Sequence, residues 1–365
     1  MVYRAIGVVS GESLNGLDIM FAELHETTGK WTAQILAGER IPYEPEIRRK
    51  LENLDSLGLS EYHELHVTFG QYLAELIRDF IDRNELHYKV QLIACDGHTI
   101  FYKPELKICS QLGDLSQVAA ITGINVVGNV RNMDLGLDGK GAPVYPIAEK
   151  LLFSAQQLFL HLGSNANLSR HLPGQYKNFD VCPANRLLDK LAARDNLDLD
   201  PGGMMAAEGK VDEKLLDILN ELEYYELPLP KSLSIDFATD VVYPLFDELR
   251  LNVKDALRTA VEHIAIQVTN GVKLFMSDEP AAKNELFMTG GGANNNFLVE
   301  RIRTLVGESG ISLIVPDKLV VDFKEPLAMA LIGVLRWREE NNVFKYITGA
   351  KRDSIGGNVW IGQEA

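Results

Sequence analysis

The chain has 365 residues, enough for two domains of ordinary size and a substantial core. With 46% hydrophobic and 24% charged residues it is globular rather than disordered. The formal net charge of −15 repels nucleic-acid phosphates and anionic membrane surfaces, so neither is an expected partner.

Ile6-Gly7-Val8-Val9 is a short apolar run that ends in the turn signal Ser10-Gly11. Strands are expected again at 17–24 and 31–36, so the chain opens as a meander, and a helix is expected around 46–54, just after Pro45. Phe69, Leu73, Leu76, Ile77 and Phe80 follow helical spacing and make one apolar face. Strand-length apolar runs follow at 90–95, 124–130 and 159–162. Strands alternating with helices give an α/β class. The second half is more helical. Val253, Leu257, Ala260, Val261, Ile264 and Val268 lie on one long amphipathic helix. Strands at 285–288 and 311–315 and helices at 296–305 and 327–335 complete the pattern.

Cys95, Cys109 and Cys182 form no CxxC pair, and the N-terminus enters a strand without a basic and apolar leader. Reduced thiols in a cytoplasmic protein are expected. No run approaches the roughly 18 apolar residues of a membrane span.

Four glycine-containing segments carry candidate chemistry. Gly11, Glu12, Ser13, Asn15, Gly16 and Asp18 lie between the first two strands. Small residues let backbone N–H groups approach a phosphate, and hydroxyls add donors. The Gly-Lys-Ser/Thr ending of a Walker loop is missing, and spacing alone favours a long hairpin turn. Gly163 and Ser164, in the expected loop 163–167, make either a second phosphate clamp or an Asn-rich turn. Gly290, Gly291 and Gly292 stand between strand and helix, where such a run serves a close backbone approach and the helix start offers N–H groups to an anion. The expected loop 131–143 holds Arg131, Asp134, Asp138, Lys140 and Gly141 among glycines. Asp134 suits a general base and Arg131 and Lys140 suit anionic groups, while ordinary charge pairing in a solvated loop accounts for the same residues. His63 and His66 are spaced i, i+3, which fails the zinc-helix pattern and leaves a surface helix.

The order of these segments resembles the anhydro-N-acetylmuramic acid kinase family. The family's Ser-Gly-Thr-Ser-Leu-Asp-Gly loop reads Ser10-Gly11-Glu12-Ser13-Leu14-Asn15-Gly16 here, and its His-Gly-Gln/His-Thr turn reads Asp96-Gly97-His98-Thr99. Its Asp-Phe-Arg-x-x-Asp and Gly-Gly-Gln-Gly-Ala-Pro segments match 129–134 and 138–143. Residues 179–185, 289–294, 322–325 and 348–350 match its later motifs in the same order. The resemblance implies an actin-like ATPase/sugar kinase fold, with two RNase-H-like domains around a central nucleotide cleft. The domains are expected at 1–124 plus 341–365 and at 125–340.

It also implies a reaction with ATP, Mg2+ and water that opens the 1,6-anhydro ring of the amino sugar and phosphorylates O6. Asp134 and Arg131 would be catalytic. Gly11, Glu12, Ser13, Asn15, Gly16, Asp18, Gly163, Ser164 and Gly290 to Gly292 would bind the nucleotide, and His98, Thr99, Gly141 and Glu325 would bind the sugar. No protein metal ligand is expected, and a homodimer is the default assembly. The departures at Glu12 and Asn15 leave a second reading open, a catalytically silent paralogue that binds a sugar or a partner.

Overall fold

The computed structural model describes residues 1–11, 14–54, 57–234, 236–278 and 283–362. It divides into two compact units, Met1–Ser154 with Phe323–Ala365, and Ala155–Asp322.

The first unit is built on β1 (Val2–Ser10), β2 (Leu17–Thr27), β3 (Lys30–Ile41), β4 (Leu92–Asp96), β5 (His98–Lys103), β6 (Ile108–Leu112) and β7 (Val126–Gly128). A C-terminal strand, Asn358–Trp360, joins it. The sheet order is Asn358–Trp360, β7, β4, β1, β2, β3. β1 to β3 form the antiparallel meander, while β4 runs parallel to β1 and β7 parallel to β4. Central β1 is buried from Ala5 to Ser10, which explains its nearly unbroken apolar run; β3 lies at the edge and only alternates. Helix Leu59–Arg83 lays Leu65, Phe69, Leu73, Ile77 and Phe80 into the core and leaves His63 exposed, as a surface helix should.

The second unit repeats the plan. β8 (Leu158–Leu162), β9 (Asn165–Leu172) and β10 (Gln175–Pro183) form a meander. β11 (Glu285–Thr289) and β12 (Ser312–Ile314) add in parallel beyond β8. The order is β10-β9-β8-β11-β12. Numbered in order within each sheet, and leaving aside the C-terminal strand Asn358–Trp360, both read 3-2-1-4-5 from the meander outward, the RNase-H-like topology expected of each domain. Helix Val253–Asp278 buries Leu257, Val261, Ile264 and Val268 against its core, the face its period-3.6 pattern specified.

Three loops differ from the sequence expectation. Asp96 ends β4 and His98 begins β5, so Gly97 alone is the turn. The turn after β8 is only Gly163-Ser164, because Asn165 already pairs across to Pro183 in β10. Asp134 sits in a short helix, Asn132–Gly136, rather than in an open loop. The units change at Ser154/Ala155 and Asp322/Phe323, where the sequence reading placed the changes at 124/125 and 340/341. β7 is hydrogen-bonded beside β4, which keeps the segment carrying Arg131 and Asp134 with the first sheet.

Helix Lys318–Trp337 is broken at Phe323 (φ −123°, ψ 25°), so Pro326 occupies the first turn after the break, where proline is tolerated. There the chain crosses β1 so closely that a Cβ on Gly7 would lie 1.8 Å from the Pro326 carbonyl oxygen. Beside it, Lys324 Nζ meets Glu149 Oε1 at 3.0 Å, with both side chains buried. Gly7→Ala is expected to lower thermal stability by about 1–3 kcal/mol or more, because backbone and not a flexible side chain must yield. Lys324→Met, which removes the cation facing the buried Glu149 carboxylate, should cost about 3–5 kcal/mol in denaturant unfolding.

Candidate active site

In the first unit the candidate residues gather where β1 and β4 end, at Ser10 and Asp96, with Val9 opposite Asp96 in register. The carboxyl ends of parallel strands are the usual ligand-binding edge of such sheets.

Asp134 is fully buried. Its Oδ2 accepts the Gly141 N–H at 2.7 Å and its Oδ1 accepts the Thr348 hydroxyl at 2.7 Å. Each carboxylate oxygen has two acceptor directions, so each keeps one for a further donor. Gly139 has to be glycine here, since a Cβ would lie 2.2 Å from Asp134 Oδ2. Thr348 is further fixed by its carbonyl, which accepts the Lys140 N–H at 3.0 Å.

Arg131 does not stand free. Its Nη2 donates to Asp96 Oδ2 at 2.7 Å and its Nη1 to the Gly141 carbonyl at 3.3 Å. Asp96 also accepts from Tyr145 OH at 2.5 Å and from Gln111 Nε2 at 2.5 Å. Burial pushes the Asp96 carboxyl up, but the Arg131 charge and these three donors outweigh it and hold its pKa below the ordinary carboxylate value. Glu325 lies within electrostatic reach of the same groups. Burial raises its pKa, with Lys324, Arg131 and Arg40 opposing and Asp96 reinforcing the shift.

Ser10 Oγ bridges Tyr43 OH at 2.6 Å and His98 Nδ1 at 3.0 Å. Burial lowers the pKa of His98, so the ring is neutral near pH 7. Thr99 Oγ1 accepts from Gln111 Nε2 at 3.3 Å. Asp18 faces Arg40 across β2 and β3 in a two-pronged ion pair at 2.6 and 2.8 Å. Gly16 (φ 140°) packs under the end of β3, where a Cβ would lie 2.4 Å from the Ile41 carbonyl oxygen. Gly11 and Asn15 flank that turn, with Asn15 exposed. Glu12 and Ser13 lie outside the described residues. Asp138, at a left-handed φ of 64°, is bridged by Lys107 and Lys351. Hydrogen bonds from those two lysines hold its carboxyl at about 2.

The second unit assembles its own glycine site at the ends of β8 and β11. A Cβ on Gly290 (φ 92°) would lie 2.6 Å from the Leu162 carbonyl oxygen. One on Gly292 would lie 2.7 Å from Leu162 Cβ and 2.8 Å from Asn185 Oδ1. Gly163 and Ser164 carbonyls accept the N–H groups of Asn185 and Ala184 at 3.2 and 2.9 Å, so the two loops are tied together. Gly291 is exposed, and a Cβ there would meet nothing nearer than 3.8 Å, so its backbone is open to a ligand. Asn295 caps the following helix Asn296–Glu308, its side chain accepting the Leu298 N–H at 3.0 Å. Among the described residues, no group of three or more His, Cys, Asp or Glu side chains is placed to hold a metal ion.

Sequence reasoning missed Tyr43, Gln111 and Tyr145. None sits in a glycine-rich segment, and each reaches the site from a distant part of the chain. Thr348 had been read only as part of a closing motif.

A profile of the anhydro-N-acetylmuramic acid kinase family matches residues 3–362. The chain is 29% identical to the anhydro-N-acetylmuramic acid kinase of Synechococcus elongatus over 382 aligned residues, covering 98% of this chain and 99% of that one. It is 28% identical to that of Haemophilus influenzae over 369, covering 95% and 94%. Among solved structures it is similar to the activator of the 2-hydroxyisocaproyl-CoA dehydratase from Clostridium difficile with bound ADPNP, at 13% identity, coverage of 92% and 96%, and a TM-score of 0.48. With nearly its whole length matched, the chain belongs to the anhydro-N-acetylmuramic acid kinase family and is a sugar kinase.

Proposed function

We propose that the protein uses ATP and water to convert 1,6-anhydro-N-acetylmuramic acid to N-acetylmuramic acid 6-phosphate. The observation that carries this reading is the Asp134 carboxylate, buried and fixed by Gly141 and Thr348 with an acceptor direction left on each oxygen. A carboxylate so held suits a general base. It takes a proton from water as the water oxygen bonds to C1 of the sugar. The C1–O6 bond breaks, and the electron pair stays on O6. O6 then bonds to the γ-phosphorus of ATP, and ADP leaves. Asp134 returns its proton to solvent, so one proton is released per turnover.

The glycine site of the second unit fits a nucleotide. Gly290 and Gly292 allow close packing of two loops, and Gly291 leaves backbone open. Phosphoryl transfer depends on positioning and charge neutralisation, and Mg2+ bound to the ATP phosphates would supply part of that neutralisation. Mg2+ commonly takes only one or two protein carboxylates beside phosphate and water. Arg131 and Glu325 belong to the sugar side in this reading, and His98, held neutral by burial, belongs there as a hydrogen-bonding group. The product chemistry is that of cell-wall amino-sugar reuse, which we place in the cytoplasm; the three cysteines are unpaired. Among the described residues no helix is long and apolar enough to cross a membrane.

Incubation with ATP, Mg2+ and the anhydro sugar should yield a sugar 6-phosphate, seen by phosphorus NMR. A purified, folded protein that binds the sugar yet forms no phosphosugar would move the reading to the silent paralogue. Asp134→Asn should cut kcat about 10²–10⁴-fold, the usual range for losing a general base, with KM for ATP unchanged. Gly292→Ala crowds Leu162 and Asn185 and should raise KM for ATP about tenfold, ~1.4 kcal/mol, without moving KM for the sugar.

A further inference from the structure

Asp96, at the end of β4, is held by three side-chain donors. It takes Gln111 on Oδ1, and Arg131 and Tyr145 on Oδ2. Arg131 is thereby gripped at Nη2, and the Gly141 carbonyl engages Nη1. The remaining edge of the guanidinium is Nε, which is buried and has no hydrogen-bond partner among the described residues. A planar group fixed at both terminal nitrogens cannot turn to satisfy its third. A buried donor left unmade calls for an acceptor that arrives with a ligand.

We propose that Asp96, with Tyr145 and Gln111, is a positioning residue that fixes the Arg131 guanidinium plane so that Nε donates to an oxygen of the bound anhydro sugar. The proposal rests on the sugar-kinase reading above. The oxygen is a neutral one, a hydroxyl, ring ether or amide carbonyl. Asp96 already neutralises the Arg131 charge, so this edge is a poor counter-ion for phosphate but a good directed donor. Arg131 and Asp134 hold opposite groups of one residue, the carbonyl and the N–H of Gly141. Fixing the guanidinium therefore also restrains Gly141, whose N–H orients the base.

The test follows the Arg131 Nε–Hε resonance by nitrogen-15 NMR, assigned by its loss in Arg131→Lys, alongside calorimetry with 1,6-anhydro-N-acetylmuramic acid. In the wild type the resonance should shift as the sugar saturates. Asp96→Asn should abolish that shift and lower kcat/KM for the sugar about 10–100-fold, the range for a hydrogen bond to a charged group, with KM for ATP unchanged. In an Arg131→Lys background the same substitution should cost nothing further. Tyr145→Phe, a gentler change, should act in the same direction and serves if Asp96→Asn does not fold. Sugar binding with an unmoved resonance, or an Asp96→Asn penalty that persists without Arg131, overturns the assignment. No sugar binding to the wild type overturns the sugar reading itself.

Discussion

The first unit depends on one steric constraint, the contact between Gly7 and the Pro326 carbonyl. A central strand must be bare at residue 7 for the chain to cross it, and only glycine leaves that room. The crossing carries three consequences for the site. It sets Lys324 against Glu149, brings Glu325 near Asp96 and Arg131, and returns the C-terminal segment so that Thr348 reaches Asp134, 214 residues away in sequence. A polar site assembled from the two ends of the chain therefore rests on an apolar packing event in β1.

The two units solve the same problem with one topology and different chemistry. In each, a meander of three strands is extended in parallel from its first strand, and the candidate loops lie at the ends of that strand and its parallel neighbour. In the first unit those ends carry ionisable side chains. In the second they carry glycines and amide side chains, which suit close backbone approach better than proton transfer. The proposed base and the proposed nucleotide loop thus fall at equivalent topological places, and any division of labour between them follows from side chains rather than from fold.

Much of this was legible in the sequence because it is local. The opening meander, the apolar face of Leu59–Arg83 and the long helix Val253–Asp278 follow from periodicity alone. Family order singled out Asp134 and Gly290 to Gly292 as candidates. The missed features are non-local. Asp96 finds its donors 15, 35 and 49 residues away, and no spacing rule links Gln111, Arg131 and Tyr145. Asn165 to Asn167 looked like a turn because Asn favours turns, yet pairing with β10 draws them into a strand. Tertiary hydrogen bonding overrode local propensity there.

The same non-local view changes how the acidic departures are read. From sequence, an aspartate at position 96, where the family has histidine, adds a negative charge. In the fold that charge is spent on Arg131, as Glu149 is matched by Lys324 and Asp18 by Arg40. Closely matched pairs have short-ranged fields, so each contributes direction more than net potential. Breaking one partner of either buried pair, Asp96–Arg131 or Glu149–Lys324, would cost far more than the pair itself contributes, so both act as a fixed frame. Within that frame, Arg131 keeps a fixed orientation without offering a free positive charge. Under the proposed function, that property suits recognition of a neutral sugar oxygen.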